Sequence, residues 1–265
     1  MHPINAIKKI ALLIRSIPRK AEKILHFFNL TRFTPSLEVP APTHIEIEAT
    51  TRCNATCGTC TRTHLSREDM KNDLHPDTLK KVLIALPDLT SLRLVGLGET
   101  FLNPNIENIL QQLKARSIRV WIITNGSLLQ DVHVRNLIHD YVDDVAISID
   151  STDPEEFSRL RPMGNIGLAD VAEGMKLLIK ERNDGRSNTT IGISTTVTHE
   201  NYHDLPSIGS MSIDMGVDYV AIAFVENWMI QGDPGYSAIS DNVNESMKYL
   251  PQIRQAIRKK QLRLM

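Results

Sequence analysis

From His44 onward the chain alternates short β-rich runs with amphipathic helical runs, each pair taking roughly the ~30 residues of a parallel βα unit. No other feature narrows its folding as far. Strands are expected at His44 to Ala49, Ser91 to Gly96, Arg119 to Thr124, Asp144 to Ile149, Thr189 to Val197 and Asp218 to Val225. Helices are expected around Pro76 to Ala85, Ile106 to Ala115, Asp131 to His139 and Ala169 to Glu181, with a short one near His203 to Met215. Strands joined through helices run parallel, and their crossovers are right-handed. A last helical stretch, Asn242 to Arg258, would cover the sixth strand, with no seventh or eighth strand left to close a ring. The expected fold is therefore α/β, an open six-unit (β/α)6 partial TIM barrel carrying an N-terminal amphipathic helical extension. Such folds bind ligands at the carboxyl ends of their strands.

The extension and its linker occupy residues 1–42, and the barrel residues 43–265. Ile4, Ile7, Ala11, Ile14, Ala21, Ile24 and Phe28 recur at helical spacing, and residues 1–40 hold seven Lys/Arg against two Glu. This basic amphipathic helix, broken near Pro18, could pack on the domain or lie on an anionic membrane surface through residues 1–30. Pro35, Pro40 and Pro42 mark the linker. A formal charge of −1 lacks the basic face that neutralises a phosphate backbone, so no nucleic-acid partner is indicated. No apolar run approaches the ~20 residues needed to cross a bilayer. The three cysteines lie together, which argues against a disulfide framework and for a reducing, cytoplasmic setting, peripheral to a membrane if the basic helix reaches one.

Those cysteines carry the chemistry. Strand one runs through Glu48-Ala49-Thr50-Thr51-Arg52 into Cys53-Asn54-Ala55-Thr56-Cys57-Gly58-Thr59-Cys60, a C-x3-C-x2-C loop. Three thiolates on four irons would leave one iron open to another ligand, and an open iron is a reaction site. Two plainer readings stand beside it: a zinc site completed by His64, three residues on, and inert buried thiols.

The stretch Glu48 to Cys60 resembles the opening of radical S-adenosylmethionine (radical SAM) enzymes. That resemblance implies a four-iron, four-sulfur (4Fe-4S) cluster on Cys53, Cys57 and Cys60, with S-adenosylmethionine on the fourth iron. One electron would cleave the sulfonium to methionine and a 5′-deoxyadenosyl radical, which abstracts hydrogen from substrate. Further positions match in order. Gly96-Leu97-Gly98-Glu99-Thr100 resembles the family's G-G-E-P motif, with Leu97 and Thr100 departing from it, and implies Gly98 and Glu99 at the methionyl amino group. Thr124-Asn125-Gly126 resembles a T-N-G turn and is given a structural role first. Ser148 and Asp150, two apart on one face, fall where a serine meets the cofactor's carboxylate or ribose. Arg161, aligning slightly better than Arg159, falls where an arginine grips the carboxylate; a solvated arginine is the competing reading. Thr196 falls in the adenine region. Thr59 stands where many members have a large apolar residue touching adenine.

The style of strands and linkers most resembles the SPASM/twitch branch, although no cysteine follows Cys60 to hold an auxiliary cluster. The chain is then a single-cluster member or an incomplete one. The expected function is radical modification of a peptide, carbohydrate or other metabolite, fed by a low-potential electron donor such as flavodoxin or ferredoxin. The alternatives are a noncatalytic zinc or iron–sulfur binding module and an inactive scaffold. His199, Glu200 and Asn201 after strand five, and Glu226, Asn227 and Trp228 after strand six, are candidate substrate contacts or a base.

Overall fold

A computed structural model describes residues 40–224, 251 and 263–264. The amphipathic extension, nearly all of the helix expected over Asn242 to Arg258, and Glu226, Asn227 and Trp228 lie outside the described residues. Six parallel strands follow the expected order: β1 (His44–Ile47), β2 (Ser91–Leu94), β3 (Arg119–Thr124), β4 (Asp144–Ser148), β5 (Thr190–Val197) and β6 (Tyr219–Phe224). Each pairs with the next in sequence, so the sheet never reverses direction and curves into a half-barrel. The six-unit half-barrel is as expected, but the described residues also contain a short seventh strand where the sequence suggests none. It is β7, Arg263–Leu264, parallel to β6 with Tyr219 opposite Arg263 and Val220 opposite Leu264. Two residues are too few for any alternation to register in sequence, whereas the free edge of β6 offers backbone groups that a short strand can pair.

The helices between the strands are α1 (Pro76–Ala85), α2 (Ile106–Ala115), α3 (Val132–Tyr141), α4 (Pro154–Leu160), α5 (Leu168–Asn183) and α6 (Leu205–Met215). Their starts follow local chemistry. Asp131 accepts the His133 amide at 2.8 Å and Asp153 the Glu156 amide at 2.8 Å, so each takes up one donor that the first turn leaves unpaired. Pro154 then occupies the first turn of α4, where its missing N–H costs nothing.

Alternation along the strands sorts side chains onto two faces. Leu92, Leu94, Val120, Ile122, Val145, Ile147, Ile191 and Ile193 point toward the helices and are buried against Leu79, Ile109, Leu113, Ile138, Val171 and Met175. Each fully buried aliphatic side chain of this kind contributes about 1.5–3 kcal/mol of transfer free energy. The opposite face lines the lumen. At its lower end Tyr219 crosses two strands: its hydroxyl donates to Asp144 Oδ1 at 2.5 Å and accepts from Trp121 Nε1 at 3.3 Å. Gly192 makes the crossing feasible, because a Cβ there would stand within 2.5 Å of the Tyr219 ring. Arg93 lies over the Trp121 ring at 3.7 Å and pairs with Glu46 at 3.2 Å, extending the floor to β1.

Candidate metal centre and cofactor cleft

The cysteine loop leaves β1 at the carboxyl edge of the sheet and is tied down at several places. Residues 72–74 run back beside its start, where Thr50 bridges Asp73 and Leu74 donates to the Ala49 carbonyl at 2.9 Å. Arg52 forks onto both oxygens of Asp73 at 3.0 and 2.9 Å. Farther along, the Thr56 amide donates to the Pro162 carbonyl at 3.0 Å, joining the loop to the segment after α4. From β2, Glu99 donates its amide to the Arg52 carbonyl at 2.7 Å. Gly98 is required there. A side chain at that position would run into the backbone carbonyls of Thr50 and Arg52.

Cys53, Cys57 and Cys60 are free thiols, each half-buried, and each meets different company. Cys53 Sγ lies 3.4 Å from the Ala55 amide and 3.9 Å from Asn125 Nδ2. Cys60 Sγ lies 4.0 Å from the Leu97 carbonyl. Cys57 feels the charge of Arg161; burial nevertheless pushes its thiol up to about 11, with Arg161 pulling the other way. Burial raises the Cys53 thiol as well. A metal must therefore displace protons to bind here, as thiolate ligation always requires. Among the described residues, no group of three or more His, Cys, Asp or Glu is gathered tightly enough for a single ion. His64 is exposed on the turn after Cys60. Three soft donors spread along one loop suit the corners of a cluster better than one tetrahedral ion.

The residues expected around the cofactor gather beside this loop, though several are engaged with one another. Glu99 is buried and spends its carboxylate on the end of β3: Oε2 accepts the Asn125 amide at 2.7 Å and Oε1 the Thr124 hydroxyl at 2.8 Å. Burial pushes its carboxyl above the usual range, against the pull of those hydrogen bonds. Arg161 does not project into solvent. Its side chain is 12 % exposed, and Nε stands 2.6 Å from Asp150 Oδ2. That nitrogen makes no aligned hydrogen bond, so the contact is one of charge. Asp150 also accepts the Thr196 amide at 2.7 Å. Arg159, by contrast, pairs with Glu156 on the exposed face of α4, at 2.9 Å from Nε. Ser148 is buried at the carboxyl end of β4, opposite Ser194. Gly98, Glu99, Ser148, Asp150 and Thr196 thus lie at strand ends on the side of the cysteine loop, and Arg161 joins them from the end of α4, where its charge acts on Cys57.

Two residues behave otherwise than their sequence context suggests. Asn201, expected among the substrate contacts, is 1 % exposed and works as an internal brace. Its amide donates to the Asp150 and Thr196 carbonyls, both at 2.9 Å, and its oxygen accepts the Thr198 amide at 2.7 Å. His199 beside it is exposed and stacks edge-on to Tyr202. Asn125, assigned to a turn, reaches the cysteine loop, donating to Asn54 Oδ1 at 2.9 Å.

Residues 47–209 match the model of the radical SAM superfamily. The chain belongs to that superfamily. Its members work with a 4Fe-4S cluster and S-adenosylmethionine, and the thiol loop with the arginine beside Cys57 fits both groups chemically. Among curated relatives, the tungsten-containing aldehyde ferredoxin oxidoreductase cofactor-modifying protein of Pyrococcus furiosus is 30% identical over 184 residues, 68% of this chain and 51% of that one. The antilisterial bacteriocin subtilosin biosynthesis protein AlbA of Bacillus subtilis is 27% identical over 199 residues, 73% of this chain and 41% of its own. This radical SAM chain therefore spans about half the length of the curated relatives it matches. SuiB of Streptococcus suis, solved with its precursor peptide SuiA, shares the fold with a TM-score of 0.67 at 18% identity, covering 94% of this chain and 54% of SuiB. The same fold is found in SuiB bound to S-adenosylmethionine, with a TM-score of 0.68.

Proposed function

We propose that this radical SAM chain is the catalytic barrel of an enzyme that cleaves S-adenosylmethionine reductively and abstracts a hydrogen atom from a peptide. The three thiols of Cys53, Cys57 and Cys60 on one braced loop, with the buried Arg161 cation beside Cys57, carry this reading. When bound, the cluster supplies one electron and S-adenosylmethionine supplies methionine and a 5′-deoxyadenosyl radical, which becomes 5′-deoxyadenosine on taking the substrate's hydrogen. The chain's own residues position and exclude. Arg161 offers a planar fork suited to a carboxylate, and Asp150, held by the Thr196 amide, keeps that fork in place. The braced strand ends keep these groups fixed relative to the thiols. A peptide is favoured over a carbohydrate or another metabolite because AlbA is named for bacteriocin biosynthesis and SuiB was solved with its precursor peptide. A low-potential donor of the flavodoxin or ferredoxin kind would deliver the electron.

The test is anaerobic reconstitution with iron and sulfide, reduction with dithionite in the presence of S-adenosylmethionine, and chromatography for 5′-deoxyadenosine. The expected result is 5′-deoxyadenosine from the wild type and none from Cys57→Ala. Uptake of zinc without iron would replace the reading with a metal-binding module, and a reduced cluster that never cleaves the cofactor would replace it with an inactive scaffold.

A further inference from the structure

The three thiols are unequally provided with hydrogen-bond donors. Cys57 feels the charge of Arg161 and Cys60 Sγ meets a carbonyl, while Cys53 has two N–H groups within hydrogen-bond reach of its sulfur: the Ala55 amide at 3.4 Å and the Asn125 side chain at 3.9 Å. The Ala55 amide comes with the loop itself. Asn125 comes from the end of β3, 72 residues away in sequence, and three bonds determine how it is aimed. Its backbone amide is held by Glu99 Oε2 at 2.7 Å. Its side-chain oxygen accepts the Ser127 amide at 2.9 Å, which fixes which end of the amide is which. The remaining NH2 faces only the cysteine loop, with one hydrogen toward Asn54 Oδ1 at 2.9 Å and the other toward Cys53 Sγ. Asn54 in turn donates to the Ser127 hydroxyl at 2.9 Å, closing a ring of side chains around the turn. Asn125 is 7 % exposed, so water does not compete freely for its donors.

We propose that Asn125 is a positioning residue that sets the reduction potential of the cluster, by donating a side-chain N–H to the sulfur of Cys53. The inference rests on the cluster reading above. A hydrogen bond to a ligating sulfur favours the more negative, reduced state and so raises the potential. The buried carboxylate of Glu99 acts through Asn125, because it holds the amide from which the side chain projects. Removing the donor should make one-electron reduction about tenfold less favourable, a shift of about 59 mV to more negative potential.

The measurement is a potentiometric titration of the anaerobically reconstituted protein followed by electron paramagnetic resonance, with iron and sulfide counted in every sample. Asn125→Ala should carry the wild-type amount of iron and titrate at the more negative potential. Ser127→Ala keeps the backbone amide that orients Asn125 and should titrate with the wild type. An Asn125→Ala protein with full iron and an unshifted potential overturns the inference. If that variant takes up no iron, pulsed resonance decides on Asn54→Ala protein labelled with 15N in its asparagine side chains: a nitrogen coupling on the reduced cluster upholds the bond, and its absence overturns it. A wild type that binds no iron and sulfide would instead sink the cluster reading itself.

Discussion

Glu99→Ala tests whether this glutamate holds the cleft together. In the wild type its carboxylate is the acceptor for the Asn125 amide and the Thr124 hydroxyl, and all three groups are buried. Alanine leaves those two buried donors, and the more distant Phe101 amide at 3.4 Å, without this acceptor; at about 1–3 kcal/mol for each of the first two, the loss is about 2–6 kcal/mol or more. Domains of this kind have about 5–15 kcal/mol in all, so the loss would be severe. Glutamine behaves differently. It can present its oxygen to the Asn125 amide and its nitrogen to the Thr124 hydroxyl, which rotates to accept, and it removes a buried charge; the net change should stay within about 1 kcal/mol. Urea unfolding of the apoprotein measures both. With a slope of about 1–3 kcal/mol per molar, the alanine midpoint should fall by roughly 1 M or more and the glutamine midpoint by much less. The pH dependence supplies an independent check. Because burial raises the Glu99 carboxyl, the folded state holds its proton more tightly than the unfolded state. Glu99 then favours folding most below the ordinary glutamate range, and that advantage is lost as pH rises toward the folded value. The wild-type stability should therefore decline relative to Glu99→Gln through that window and run parallel to it above. An alanine midpoint equal to wild type would refute the reasoning.

Other substitutions separate structural roles from exposed ones. Arg161→Ala strands the buried Asp150 carboxylate and should cost about 3–5 kcal/mol, whereas Arg159→Ala breaks a more exposed pair and should change the stability measured by urea unfolding by less than about 1 kcal/mol. Gly98→Ala drives a methyl into the Thr50 and Arg52 carbonyls; it should cost about 1–3 kcal/mol and lower the iron bound per chain after reconstitution. Away from the cleft, the His139 side chain is fully buried between Glu181 and Ser187, and burial lowers its affinity for a proton. The unfolded chain then takes up a proton first as pH falls, so stability from this site is present above the ordinary histidine range and is lost as pH drops through it. His139→Gln should flatten that part of a pH–stability curve measured by thermal melting.

The strands and the thiol loop were legible because both are written locally. Alternating apolar residues such as Val120 and Ile122 mark one face of β3, and C-x3-C-x2-C fixes its thiols within eight residues. Partnerships across the sheet were not legible. Nothing near Glu99 announces that its oxygens belong to Thr124 and Asn125, since parallel βα units bring such residues together only after a full crossover, and the pairing of Arg161 with Asp150 depends on how α4 turns back over the end of β4. Asn201 misled for a related reason. A polar residue after a strand reads as a surface contact, yet here the side-chain amide is turned inward and bonds the Asp150 carbonyl, just past β4, and the Thr196 carbonyl on β5. The turn at Thr124-Asn125-Gly126 hid its second task because an asparagine serving as a turn residue can still point its amide elsewhere.

Tyr219, lying across Gly192 to reach Asp144 and Trp121, makes the lumen of the described half-barrel a cup with a solid base. The radical proposed above would form at the opposite, strand-end side of that base, so its shielding would fall to whatever covers the rim. The strand-end loops and the cover can then diverge to suit different substrates while the base stays unchanged. Inheritance of one vessel with exchangeable lids is a route by which a single barrel comes to serve many chemistries.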